Sequence, residues 1–168
     1  MSYIYTTYEP QLFDLSDEDV WKSELATNGY VVIKNIIEDS TRKKALSLFK
    51  KACKIISPQL NWKDSSTWTI DNLPFVYNKG SAVFRGLGHS RFMWYLRIQP
   101  LVRLAFAKVF NTSDLVVSFD GFSIFLDHHQ ISKNWLHQEQ RSNDSTLSVQ
   151  GMVNLYKVGE NDAGFVVV

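Results

Sequence analysis

At 168 residues, 45% of them hydrophobic and 14% aromatic, the chain is the size of one domain and apolar enough to bury a core, which excludes an intrinsically disordered polymer. Its 18 Lys and Arg nearly balance 17 Asp and Glu, so the formal net charge of +1 carries no electrostatic footprint of a nucleic-acid or anionic-membrane partner. The single cysteine, Cys53, excludes an internal disulfide and a Cys-rich zinc site.

The opening residues, "MSYIYTTYEPQ", lack the basic segment followed by an apolar core that marks a secretory signal. No run approaches the ~18 apolar residues needed to cross a bilayer. The expectation is a soluble, cytoplasmic chain with no membrane partner. Without repeats, low-complexity stretches or a Pro/Gly-rich linker, residues 1–168 read as one domain.

Ser16, followed by Asp17, Glu18 and Asp19, marks a helix start, with acids at the positive end of the dipole; Asn28-Gly29 marks its stop. "YVVIKNII" (30–37) is rich in β-branched residues and predicts a buried strand. Asp39 or Ser40 then caps a second helix. Its apolar stripe is Ala45, Leu48, Phe49, Ala52, Cys53 and Ile56, while Lys43, Lys44, Lys50, Lys51 and Lys54 take the solvated faces. Cys53 lies on the stripe, which predicts a packed thiol.

Residues 57–80 are loop-rich with scattered aromatics, and "GLGHS" (86–90) is a turn. Pro100 opens a short helix through residues 101–110. From Leu115 onward, "LVVSF", "FSIFL", "LSVQGMVNLY" and "GFVVV" are short apolar or alternating runs separated by Asp, Asn, Ser and Gly. Helices followed by strands predict an α+β domain with its sheet towards the C-terminus.

The chemistry concentrates in "WLHQEQ" (135–140). On a strand, His137 and Glu139 project to one side. An imidazole and a carboxylate, joined by a second histidine, form the facial triad that holds non-haem Fe(II) and leaves positions for co-substrate and oxygen. An isolated H-x-E pair is equally what a surface histidine beside a surface glutamate looks like.

Its surroundings sharpen the reading. With "NGYVVIKNII" (28–37), "GLGHSRFMWYLRIQP" (86–100), "LVVSFDGFSIF" (115–125), "WLHQEQ" and "SVQGMVNLYKVGENDAGFVVV" (148–168) in this order, the chain resembles the phytanoyl-CoA dioxygenase family of Fe(II)- and 2-oxoglutarate-dependent oxygenases. It is most similar to the branch with a Trp–His–x–Asp–Gln motif, and the likeness runs from about residue 15 onward.

The resemblance implies N-terminal helices packed on a partial double-stranded β-helix, a cupin-like jelly roll. It implies Fe(II) and 2-oxoglutarate as cofactors and a small organic molecule as substrate. His137 and Glu139 take the metal-ligand positions, and Gln140 matches the glutamine that follows. Gln150 and Asn154, on a common strand face, are candidates for facing the co-substrate or for a hydrogen-bonded pair within the sheet. His89, in a family-like turn, is a candidate for shaping the pocket or contacting co-substrate.

Two departures set further expectations. The family's carboxylate is normally aspartate, and Glu139 is one methylene longer, where metal sites tolerate only tenths of an ångström. The residues end at "AGFVVV", before the segment in which family members carry the distal histidine and the basic residue for the far carboxylate of 2-oxoglutarate. His128 and His129, eight or nine residues before His137, reach the metal only if their loop folds over it. Arg85, Arg91 and Arg97 are open between pairing with an anionic co-substrate and serving the fold.

Three readings follow. The chain is the N-terminal part of an oxygenase, inactive or incomplete by itself; or a non-catalytic family member; or a cupin-like binding domain that needs a partner chain. An open sheet edge would then invite self-association or a second polypeptide.

Overall fold

The structure is a computed structural model that describes residues 9–74, 76, 80–82, 85–126, 146–159 and 162. The amphipathic stripe of the second helix organises it. Helix α2, Asp39–Ile56, buries Ala45, Phe49 and Cys53 and half-buries Leu48, Ala52 and Ile56. All five lysines named above stay exposed. The helix begins one residue earlier than its sequence signal, with Glu38 as the N-cap.

Helix α1, Glu18–Asn28, carries Glu18 and Asp19 in its first turn and stops at Gly29, whose φ of 75° is the left-handed conformation glycine adopts without penalty. Asp17, rather than Ser16, occupies the N-cap. Strands β1 (Leu12–Phe13) and β2 (Val32–Ile33) pair in parallel on either side of this helix. The strand expected over 30–37 is thus two residues long and half-buried. Asn35, with φ 55°, leaves the extended region two residues after it.

Helix α3, Arg91–Arg97, has no counterpart in the sequence reading; it follows a single 3-10 turn at Leu87–His89. Its aromatic-rich sequence, "RFMWYLR", lacks a long periodic stripe, but Phe92 and Leu96, four residues apart, are buried on one face. That face packs on α2. Helix α4, Pro100–Phe110, starts with its proline in the first turn, as the sequence predicts, and stops at Asn111 with φ 53°.

Phe49 is the hub of the core: its ring centroid lies 5.2 Å from Trp62, 5.4 Å from Phe92 and 5.3 Å from Phe122. The contacts with Phe92 and Phe122 are edge-to-face, a favoured arrangement worth about 0.5–1.5 kcal/mol per pair beyond simple burial. Phe122 belongs to β4 (Phe122–Ser123), which pairs antiparallel with β3 (Ser81–Ala82). Val153 and Leu155 lie on the same core from the far end of the chain, and Arg42 Nη1 donates to Leu155 O at 3.2 Å.

Helices and strands together make the chain α+β. Among the described residues, strand pairing is confined to the two two-stranded ladders. Residues 115–119 and 147–156, expected as strands, form no strand, and the "GFVVV" run lies outside the described residues. No helix among the described residues is long and apolar enough to cross a membrane.

Candidate functional site

Three of the segments singled out by sequence meet at one place, and an arginine joins them. Arg97, in the last turn of α3, donates from Nη1 to Gly88 O at 2.6 Å and from Nη2 to Asp120 O at 2.5 Å. Its guanidinium also lies 5.3 Å from the centre of the Trp94 ring. A planar fork serves the two carbonyls from two separate nitrogens, whereas an ammonium would have to reach both from one. Burial lowers the Arg97 pKa from its ordinary value, and the nearby charge of Asp120 works in the opposite direction. Of the two roles left open by sequence, these two backbone carbonyls give Arg97 one in the fold.

The turn held by Arg97 carries His89. The imidazole is exposed and stacks on Phe119, with centroids 3.9 Å apart and planes at 29°; Trp94 meets the same phenyl ring edge-on at 5.7 Å. Gly88 is buried at the crossing. A Cβ there would lie 3.0 Å from Asp120 O, so the turn comes close to the 119–121 backbone because this residue has no side chain.

Asp120 extends the connection. One carboxylate oxygen accepts from its neighbour Gly121 N at 2.7 Å, and the other accepts from Gln150 Nε2 at 3.0 Å. Gln150 and Asn154 are both exposed, as is Met152 between them, whereas Val153 and Leu155 pack on the core. The common face expected for Gln150 and Asn154 is thus the outer one in the described structure. Gly151 fits against α4, where a Cβ would come within 2.6 Å of Phe106 Cζ.

Sequence reasoning missed Asp120. The signal was present in "SFDGFS", where an acid before glycine favours local turn hydrogen bonding, but nothing in it foretold a bond to a residue thirty positions on. His137, Glu139 and Gln140, together with His128 and His129, lie outside the described residues. Among the described residues no group of three or more His, Cys, Asp and Glu could hold a metal ion. Arg85 and Arg91 are exposed, and Arg85 has φ 61°. Cys53 is fully buried, and burial pushes its thiol pKa up to about 12, the packed and unreactive thiol predicted from the stripe.

Comparison with known proteins adds one relative. The chain is 32% identical over 159 residues to the Ava biosynthesis cluster protein O of Aspergillus versicolor, a match that covers 87% of this chain and 48% of that protein. The chain therefore spans about half the length of the curated relative it matches. No family model matches the chain, and no solved structure does.

Proposed function

We propose that the chain contributes part of the active site of an Fe(II)- and 2-oxoglutarate-dependent oxygenase of the phytanoyl-CoA dioxygenase family, with His137 and Glu139 as two of the metal ligands. The observation that carries this reading is the convergence of three family-like segments: the 86–100 turn and helix, the 115–125 segment and Gln150 are tied together by Arg97 and Asp120. A similarity to a longer protein named for a biosynthesis cluster supports a small organic molecule as substrate. The iron and its co-substrate would supply oxidation of an unactivated C–H bond.

Within that site His89 and Gln150 would present an imidazole and a carboxamide to the co-substrate. The stack on Phe119 orients the first, and the bond to Asp120 orients the second. The described residues add no metal ligand set of their own, so metal binding rests on His137 and Glu139 and on further ligands.

Paramagnetic Mn(II) tests this without needing turnover. Resonances of residues around 137–139 should broaden on titration, and His137→Ala should abolish the effect. Broadening that survives His137→Ala, or none at all in the parent chain, overturns the assignment. Iron-dependent conversion of 2-oxoglutarate to succinate should be at background for these residues alone.

Glu139 favours a second reading, a family member that binds but does not catalyse, since the longer side chain displaces the carboxylate. Glu139→Asp separates the two. Tighter Mn(II) binding is expected where the site is a weakened metal centre, and unchanged binding where the carboxylate is not a ligand.

The exposed apolar side chains of Val116, Val117, Phe119, Leu147, Met152 and Tyr156 support a partner strand, from a second copy or another polypeptide, along these segments. Size-exclusion chromatography with light scattering should show self-association where the strand comes from a second copy; a monodisperse monomer overturns that form of the reading.

A further inference from the structure

Each candidate side chain on this face sits on a segment with little regular structure of its own. His89 ends a single 3-10 turn, and Gln150 lies in a stretch without strand pairing among the described residues. Such segments do not hold a functional group to the fraction of an ångström that a binding site requires. Something must supply the rigidity. Helix α3, anchored on α2 by buried Phe92 and Leu96, is the rigid element that Arg97 connects to both.

We propose that Arg97 is the positioning residue of this site, transmitting the rigidity of α3 to His89 through the Gly88 carbonyl and to Gln150 through the Asp120 backbone and carboxylate. The inference rests on the oxygenase reading only for what His89 and Gln150 would touch; the positioning itself is a property of this chain. Arg97 is engaged with the fold: both terminal nitrogens donate to carbonyls, at 2.6 and 2.5 Å, and its flat face lies beside Trp94.

The two branches differ in kind. Towards His89 the coupling is one bond: Arg97 fixes Gly88 O, and the next residue carries the imidazole that lies on Phe119. Since Phe119 directly precedes Asp120, the second guanidinium bond holds the other half of the stack. Towards Gln150 the coupling has two steps, backbone of Asp120 and then its carboxylate, which the Gly121 amide pins at Oδ1 and leaves Oδ2 for the glutamine. Substituting Asp120 by asparagine keeps the backbone carbonyl that accepts from Arg97 and weakens the second step alone.

Side-chain NMR of the whole 168-residue chain reads both branches. In the parent, the His89 ring protons should be shifted upfield by the Phe119 ring, and the Gln150 carboxamide protons should be displaced by the bond to Asp120. In Arg97→Met both signatures should move towards free-residue values, while the ring protons of Phe49 and Phe92 in the core keep theirs. In Asp120→Asn only the Gln150 signal should move. Arg97→Lys, which keeps the charge but reaches one carbonyl, should restore one branch and not both.

Retention of both signatures in Arg97→Met with an intact core overturns the proposal. So does their joint loss together with the core signals in both Arg97→Met and Arg97→Lys, which would make Arg97 a general stability residue. If 2-oxoglutarate binds, its apparent affinity should fall about tenfold in Arg97→Met, the loss expected when a supporting contact behind a site is removed. None of the NMR readouts uses metal or co-substrate. Their failure sinks the positioning role and leaves the oxygenase reading standing, whereas failed Mn(II) broadening does the reverse.

Discussion

The α2–α3 core and the exposed apolar residues of segments 115–119 and 147–158 are similar residue types that differ in what surrounds them. Phe49, Phe92 and Leu60 are buried among other aromatic and aliphatic groups, whereas Val116 is fully exposed and Phe119 and Tyr156 are more than half exposed. An apolar residue stabilises a fold only in proportion to the surface it removes from water. Helix α2 supplies a stripe that α3, β4 and Trp62 cover. The exposed face presents apolar side chains that the described residues leave open.

Truncation tests this contrast most strongly. Phe49→Ala should cost about 3–5 kcal/mol, because three aromatic neighbours lose a partner and a cavity remains. Val116→Ala should change stability by no more than about 0.5 kcal/mol. Urea unfolding of both variants measures the gap. Equal losses would mean that Val116 is covered in solution and that the two regions do not differ.

Two glycines sharpen the comparison at the level of backbone. Gly80 and Gly29 have nearly the same positive φ, 76° and 75°, but a Cβ at Gly80 would sit 2.9 Å from Ile124 O and 2.5 Å from the Phe125 ring, whereas nothing lies within 4 Å at Gly29. Gly29→Ala should cost about 1–2 kcal/mol from conformation alone. Gly80→Ala adds steric overlap next to the β3–β4 ladder and should cost roughly 1–3 kcal/mol more. Thermal unfolding that ranks the two alike would remove the close approach.

A third measurement concerns the core's seal. With its thiol pushed up to about 12 and no exposed surface, Cys53 should react with a disulfide reagent at pH 8 only as fast as the chain unfolds. Rapid labelling of the native chain would show that α2 opens at Cys53.

The smallest effect belongs to surface charges on the helices. Glu18 accepts from Lys108 of α4 and pairs with Lys22 at 2.6 Å, and Asp39 pairs with Lys43 and Arg42 at 2.6 Å each. Hydrogen bonds from Lys108 and then Lys22 lower the Glu18 pKa from 4.5, and those from Lys43 and then Arg42 lower that of Asp39 from 3.8. Both carboxylates bind protons less readily folded than unfolded. Their contribution is complete above the ordinary values and disappears as pH falls through the lowered ones. Melting temperature should therefore drop slightly more between pH 5 and pH 3 in the parent than in Glu18→Gln, and the difference should shrink in high salt.

The sequence by itself determined the helices whose signals are local. The stripe from Ala45 to Ile56, the acids at the start of α1, Gly29 at its end and Pro100 at the start of α4 act within a turn or two of the chain, so pattern alone locates them. Tertiary structure decided the rest. The β-branched run at 30–37 becomes only two paired residues, because strand pairing depends on a distant partner, here Leu12–Phe13. Helix α3 is too short for its periodicity to show, and it exists against the α2 surface that buries Phe92 and Leu96. His89 and Gln150 could be named as candidates from the sequence. Only the folded chain brings Arg97 between the Gly88 and Asp120 carbonyls, because hydrogen bonds spanning 23 and 30 residues leave no periodic trace in the order of amino acids.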